Sequence, residues 1–164
     1  MKLRYLGMLT AAVIILATAY FVFGKKTAPD VSFTTTNGQQ IALSAMQGHV
    51  VLVNFWATSC SGCMQEMPEL IKIQKKYTDQ GYKTLSVAMS YDNPEYIENY
   101  RNKMALPFIV THDKSGEIAK KFGDVTLTPT SFLLDKNGQI IKQYIGIPNM
   151  DELENLIKSA LAKS

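Results

Sequence analysis

The sequence predicts an α/β domain, a mixed central sheet with helices on both faces, carried behind one apolar N-terminal segment. Three observations predict it. Apolar strand-like runs alternate with helical stretches between residues 49 and 123, the pattern of a layered α/β sheet. Asn37-Gly38 and Lys136-Asn137-Gly138 are turn signals that add a hairpin at either end. Residues 6–24 carry no charge at all. With 164 residues, 46% hydrophobic and 19% charged, the chain suffices for one such domain and is neither disordered nor fibrous.

Residues 6–24, LGMLTAAVIILATAYFVFG, would form a helix about 28 Å long, against a hydrocarbon core of about 30 Å. Lys2 and Arg4 precede it and Lys25 and Lys26 follow, so the free amine alone tips the N-terminus toward the cytoplasm. A cleaved signal peptide competes, with Ala17-Thr18-Ala19 as its small-x-small site, but the apolar run continues through Tyr20, Phe21, Val22 and Phe23. The expected division is therefore a retained anchor or signal segment over residues 1–26 and a globular domain over residues 27–164. Either reading exports that domain. No cysteine near residue 20 is available to carry a lipid.

Residues 27–31 read as a short tether, and Asn37-Gly38 as a two-residue hairpin turn between residues 32–36 and 39–43. HVVLVNFW, residues 49–56, suits a strand buried on both faces. A helix follows from about Cys60 to Gln80, kinked at Pro68 and ended by Gly81 in a left-handed cap. Residues 82–89 are a second buried strand. Asp92-Asn93-Pro94 opens the next helix, residues 108–111 form a third strand, and residues 116–122 form a short helix ended by Gly123. Residues 131–135 and 139–144 flank the second hairpin turn. In residues 150–162, Leu153, Leu156, Ile157, Ala160 and Leu161 fall on one stripe, the spacing of a helix packed on a sheet.

The net charge of +3 comes from the first 26 residues, which leave 13 Lys and Arg against 14 acids in the rest. A nucleic-acid binder carries its basic surplus on the folded part, so that class is excluded. The possible zinc ligands are Cys60, Cys63, His49 and His112, and they lack the second close pair that a Cys2His2 site needs. No metal or cofactor is predicted. Each histidine reads as a surface or strand-end residue, and Tyr91, Tyr96 and Tyr100 as an aromatic packing cluster.

The residues that carry chemistry are Cys60-Ser61-Gly62-Cys63, where a buried strand gives way to a helix. Positions three apart share a helix face, which brings the two sulfurs within bonding reach. The first cysteine sits over unpaired N–H groups and the positive end of the helix dipole, which favour a thiolate. An ordinary thiol is only ~3% ionised at pH 7, whereas one lowered to a pKa of about 7 is half ionised. Cys60 is thus a candidate nucleophile and Cys63 a resolving thiol. A purely structural bridge would constrain only a four-residue loop, worth roughly 2 kcal/mol.

Asn54-Phe55-Trp56-Ala57-Thr58-Ser59-Cys60-Ser61-Gly62-Cys63, then Glu66-Met67-Pro68 and Thr128-Pro129-Thr130, resemble the thioredoxin fold. They closely resemble the membrane-anchored extracytoplasmic thiol-disulfide reductases of the TlpA and ResA kind, with an N-terminal hairpin and an insertion between the second and third strands. The resemblance implies that Cys60 attacks, Cys63 resolves, and Trp56 packs beside them. It implies a cis-proline at Pro129, with Thr128 offering backbone groups to an extended substrate, so that Trp56, Thr128 and Pro129 form the substrate-binding set. Glu66 falls where the ResA-like branch carries an active-site glutamate, a candidate for moving the protons of the two thiols.

Two positions depart from that pattern. Asn54 stands where cytoplasmic thioredoxins have a buried aspartate, and Ser59 where many relatives have Trp. The expected function is reduction of disulfides in partner proteins, for example in cytochrome c maturation or metal-centre assembly. A membrane electron donor of the dithiol-relay type would reset the protein. The expected location is a bacterial inner membrane, held through residues 6–24, with a monomeric catalytic domain in the periplasm or otherwise outside the cytoplasm. A disulfide-forming oxidant and a non-catalytic thiol-based binding module are the alternatives.

Overall fold

A computed structural model of the chain describes residues 26–163. The predicted membrane segment, residues 6–24, lies outside the described residues. Among the described residues no helix is long and apolar enough to cross a membrane.

The chain forms a hairpin of β1 (Ser32–Thr34) and β2 (Gln40–Ala42), followed by β3 (Val50–Trp56) and α1 (Ser61–Tyr77). Next come β4 (Tyr82–Ala88), α2 (Pro94–Met104), β5 (Ile109–His112) and α3 (Glu117–Lys121). β6 (Thr130–Leu134), β7 (Ile140–Ile145) and α4 (Met150–Ala162) complete the domain. The central sheet runs β5-β4-β3-β6-β7. β3, β4 and β5 are parallel, and β6 and β7 are antiparallel, so the sheet is mixed as predicted.

All seven residues of β3 are buried because both its faces are covered, which is why the run is continuously apolar instead of alternating. Val51, Val53 and Phe55 pack with the hairpin and α3, where Phe55 meets Phe122 edge-on at 5.4 Å. Val50 and Leu52 pack against Leu70 and Ile73 of α1 and Leu153, Ile157 and Ala160 of α4. Trp56 packs with Cys63 and Met67 of α1 and Ile97 of α2. Helix α1 continues through Pro68, passes into a 3-10 turn, Thr78–Gln80, and stops at Gly81 in the left-handed region (φ +92°). Asn93 caps α2 by accepting the Glu95 N–H at 2.8 Å, with Pro94 in the first turn.

Three local expectations are corrected. In the first hairpin only Gly38 has positive φ (+81°), whereas a type I′ turn would require it at Asn37 as well. The Gly38 N–H donates to the Thr35 carbonyl at 2.8 Å and the Thr35 N–H to the Gln39 carbonyl at 2.9 Å, which makes a three-residue loop with glycine in its left-handed position. The second hairpin repeats the geometry, with Gly138 (φ +75°) donating to Asp135. Residues 27–31 are not a free tether. Thr27 bridges Gln139, the Ala28 N–H donates to the Gly138 carbonyl, and Ile140 donates to the Lys26 carbonyl, adding a short strip to the β7 edge. Nor do the three tyrosines cluster: Tyr100 packs on the Trp56 ring at 5.6 Å, while Tyr91 and Tyr96 are exposed. The histidines sit half-buried at strand ends, as expected.

Candidate active site

The end of β3 delivers the backbone into a turn in which the Cys60 N–H donates to the Ala57 carbonyl at 3.1 Å, and α1 begins at once. Cys60 is the N-cap. Its Sγ accepts the Cys63 N–H at 3.1 Å, taking one of the donors that the helix leaves unpaired at its start. The two cysteines are joined as a disulfide, with Cα atoms 5.2 Å apart. Cys60 is half-buried and reachable, and Cys63 is fully buried, so a partner can meet only the first sulfur.

Pro129 closes the site from the other side, and the Thr128–Pro129 peptide bond is cis. Its carbonyl accepts the Gly146 N–H at 2.8 Å, which ties the proline loop to the segment before α4. This brings Ile147 in. A Cβ placed on Gly62 would lie 3.3 Å from Pro129 Cδ and 3.6 Å from Ile147 Cγ1, so the helix start can approach this closely only because residue 62 is glycine.

Glu66 lies three residues beyond Cys63 on the same face of α1 and is 1% exposed. Burial raises its pKa from 4.5 to about 7, and a hydrogen bond from Asn54 works in the opposite sense. The Asn54 amide donates to Glu66 Oε1 at 2.8 Å and to Ser131 Oγ at 3.0 Å. Strand register sets Ser86 and Ser131 beside Asn54 on β4 and β6, so the glutamate lies against a polar row crossing three strands. Glu66 Oε2, Asn54 Oδ1 and Ser86 Oγ are buried without a partner among the described residues.

The structure thus gathers the start of α1 and the Thr128–Pro129 loop into one site, in which Cys60 and Thr128 are partly exposed while Cys63 and Pro129 are buried, and Glu66 is buried one turn further along the helix. Trp56 behaves differently. It packs beside Cys63 as the resemblance implies, yet it is 0% exposed, so its ring supports the dithiol from below and cannot touch a substrate. Sequence reasoning missed Ser131, and it missed the exposed apolar lip formed by Tyr91, Leu127 and Ile147. Tyr91 reaches Thr128 through its hydroxyl, 3.2 Å from Oγ1. The one signal available was the neighbourhood of Leu127 to the Thr-Pro-Thr motif and of Ile147 to a glycine ending a strand.

A sulfur over a helix N-terminus, a buried partner three residues on and a facing cis-proline together make a thiol-exchange site. The redoxin family model matches residues 24–157. The chain belongs to the redoxin family. Within it, the chain is 36% identical over 134 residues to the thiol-disulfide oxidoreductase ResA of Bacillus thuringiensis subsp. konkukian (strain 97-27), covering 81% of this chain and 76% of that one. It is 37% identical to the thioredoxin-like protein YneN of Bacillus subtilis (strain 168), covering 77% and 74%. Among solved structures, one from Neisseria meningitidis superposes with a TM-score of 0.79 at 36% identity, covering 85% and 93%. A thiol:disulfide interchange protein of Chlorobium tepidum TLS gives 0.76 at 25% identity, covering 84% and 97%. This redoxin is ResA-like, has the thioredoxin-type fold, and is an enzyme of the thiol-disulfide oxidoreductase class.

Proposed function

We propose that this redoxin reduces disulfides in partner proteins outside the cytoplasm, with Cys60 as the attacking thiol. The observation that carries the reading is the unequal burial of the two sulfurs, with the exposed one capping α1 beside Pro129. In the reduced enzyme the Cys60 thiolate attacks one sulfur of a client disulfide. A Cys60–client bond forms, the client S–S bond breaks, and the departing client sulfur takes a proton. The Cys63 thiolate then attacks Cys60 Sγ, forming the Cys60–Cys63 bond and releasing the second client sulfur, which is also protonated. The client gains two electrons and two protons, and the enzyme is left oxidised.

Glu66 is the group we assign to proton movement. Cys63 must lose its proton in a fully buried position before it can attack, and a carboxyl held near pKa 7 on the same helix face can accept that proton and return it. The thiol chemistry needs no bound cofactor. Thr128 and Pro129 offer their backbone to an extended client segment, and Leu127, Ile147 and Tyr91 supply the apolar contact that Ser59 lacks.

Residues 6–24 support an inner-membrane anchor with the domain on the periplasmic or other outer side. The first described residues pair with the start of β7, whose neighbour Leu134 is in register with Val51, at the sheet end away from Cys60. An anchor there would direct the redox turn away from the bilayer. An enzyme oxidised outside the cytoplasm requires a membrane donor that passes dithiol equivalents outward, and apocytochrome haem-attachment cysteines or metal-centre assembly proteins are clients of suitable chemistry. Replacing Cys63 with Ser tests the reading, because it blocks the second step. Mixed disulfides through Cys60 should accumulate with extracytoplasmic proteins, and failure to trap any would refute it. The reduction potential decides direction: a value near −270 mV marks a reductant, and one near −120 mV a disulfide-forming oxidant, on roughly the scale of known thioredoxin-fold enzymes.

A further inference from the structure

One buried carboxylate outside the dithiol grips the turn that carries Cys60. Thr58, two residues before Cys60, donates to Asp92 twice: its N–H to Oδ2 at 2.6 Å and its hydroxyl to Oδ1 at 2.6 Å. Asp92 is 7% exposed and also accepts the Asn93 N–H at 2.9 Å. The segment holding Asp92 is itself anchored. The Met89 N–H donates to the Trp56 carbonyl at 2.9 Å, and the Asp92 N–H to the Met89 carbonyl at 3.0 Å. Residues 89–92 therefore form a closed bracket that begins on the last residue of β3 and ends on Thr58. Tyr91, within the bracket, reaches Thr128 beside Pro129 through its hydroxyl.

A carboxylate with two bonds to one residue fixes that residue in both distance and orientation, and charge-assisted bonds are the stronger kind. Thr58 has little freedom left. The stabilisation that a helix start gives a thiolate fades within the first turn, so a small displacement of Cys60 weakens it. We propose that Asp92 is a positioning residue of the redox site: by holding Thr58 at both its N–H and its hydroxyl, it keeps the Cys60 sulfur on the first N–H groups of α1. Asp92 acts through Thr58. The proposal rests on the reading of Cys60 as the attacking thiol.

A direct effect of the Asp92 charge would have the opposite sign. A negative charge near Cys60 disfavours its thiolate, so removing that charge would ease ionisation, whereas losing the grip makes ionisation harder. The test measures, in the full-length protein, the dithiol–disulfide equilibrium against glutathione and the rate at which the reduced protein is alkylated by iodoacetamide at pH 7. Thr58→Val removes the hydroxyl bond and leaves the charge, Thr58→Ser retains both donors, and Asp92→Ala removes the whole grip. Thr58→Val and Asp92→Ala are each expected to shift the equilibrium toward the disulfide by about threefold or more and to slow alkylation by a similar factor. Thr58→Ser should match the wild type, and the Thr58→Val/Asp92→Ala double variant should go no further than Asp92→Ala.

Unchanged values in Thr58→Val and Asp92→Ala would overturn the proposal, as would faster alkylation in Asp92→Ala alone, the sign of a direct charge effect. If Asp92→Ala fails to fold, the Thr58→Val and Thr58→Ser pair decides by the same readouts. A wild-type protein with no reversible dithiol equilibrium would instead overturn the thiol-exchange reading itself, a result visible before any variant is made.

Discussion

The side chain of Asn54, at the centre of the sheet, donates a 2.8 Å hydrogen bond to Glu66 on the redox helix, and the two form a single buried unit. The arrangement leaves the carboxyl largely desolvated with one strong donor, so burial wins over the hydrogen bond and the pKa rises to about 7.

Stability should therefore decline with rising pH through the window set by Glu66. Below 4.5 the group is protonated in both the folded and unfolded chains. Between 4.5 and about 7 the folded protein holds a proton that the unfolded chain has released, so the stabilisation present in acid is lost as pH rises and is gone above the folded value. The full swing is roughly 3 kcal/mol. Glu66→Gln should abolish it, being the more stable form at pH 8 and losing that advantage at pH 4. Urea unfolding of the oxidised protein at both pH values checks this, and an equal stability difference at the two would reject it.

Gly62 is set by a contact 67 positions away in the chain. Gly62→Val places branched carbon against Pro129, already 3.3 Å from a bare Cβ, and the proline is held by its bond to Gly146. The expected loss is about 1–3 kcal/mol, the range for overpacking, together with slower exchange at Cys60 as the proline loop is displaced. Thermal unfolding and the rate of reduction by dithiothreitol measure the two effects. Wild-type values for both would show that the loop yields freely.

Trp56 and Leu127 should separate support from contact. Trp56→Ala removes a fully buried ring that also packs on Tyr100, and is expected to destabilise the fold by about 3–5 kcal/mol. Leu127 is 64% exposed, so Leu127→Ser should change stability by less than about 0.5 kcal/mol while slowing reduction of a protein disulfide relative to glutathione disulfide. An unchanged ratio of the two rates in Leu127→Ser would remove Leu127 from the client surface.

Much of this was legible in the chain. The helix over residues 150–162 has the predicted limits because its apolar stripe and its Asn149 cap are local features, with Asn149 Oδ1 accepting the Glu152 N–H at 3.0 Å. The buried run ending at Trp56 and the Cys-x-x-Cys after it likewise announce a strand, a turn and a helix start. The first hairpin was foreseen and its turn type was not, since Asn37-Gly38 suits two geometries and the pairing of Thr35 with Gln39 selects the one in which only glycine is left-handed. The strip at residues 26–28 looked unstructured because its partner is an edge strand more than a hundred residues later.

The sequence alone determined the dithiol, its place at a strand-to-helix junction and the α/β order of elements, because each depends on residues within a turn or two of one another. Tertiary structure decided what surrounds the sulfurs. Asn54 meets Ser131 across 77 positions, Thr58 meets Asp92 across 34, and Gly62 meets Pro129 only after β6 has paired antiparallel to β3. Strand register chooses such neighbours, and register is a property of the assembled sheet that no local pattern encodes.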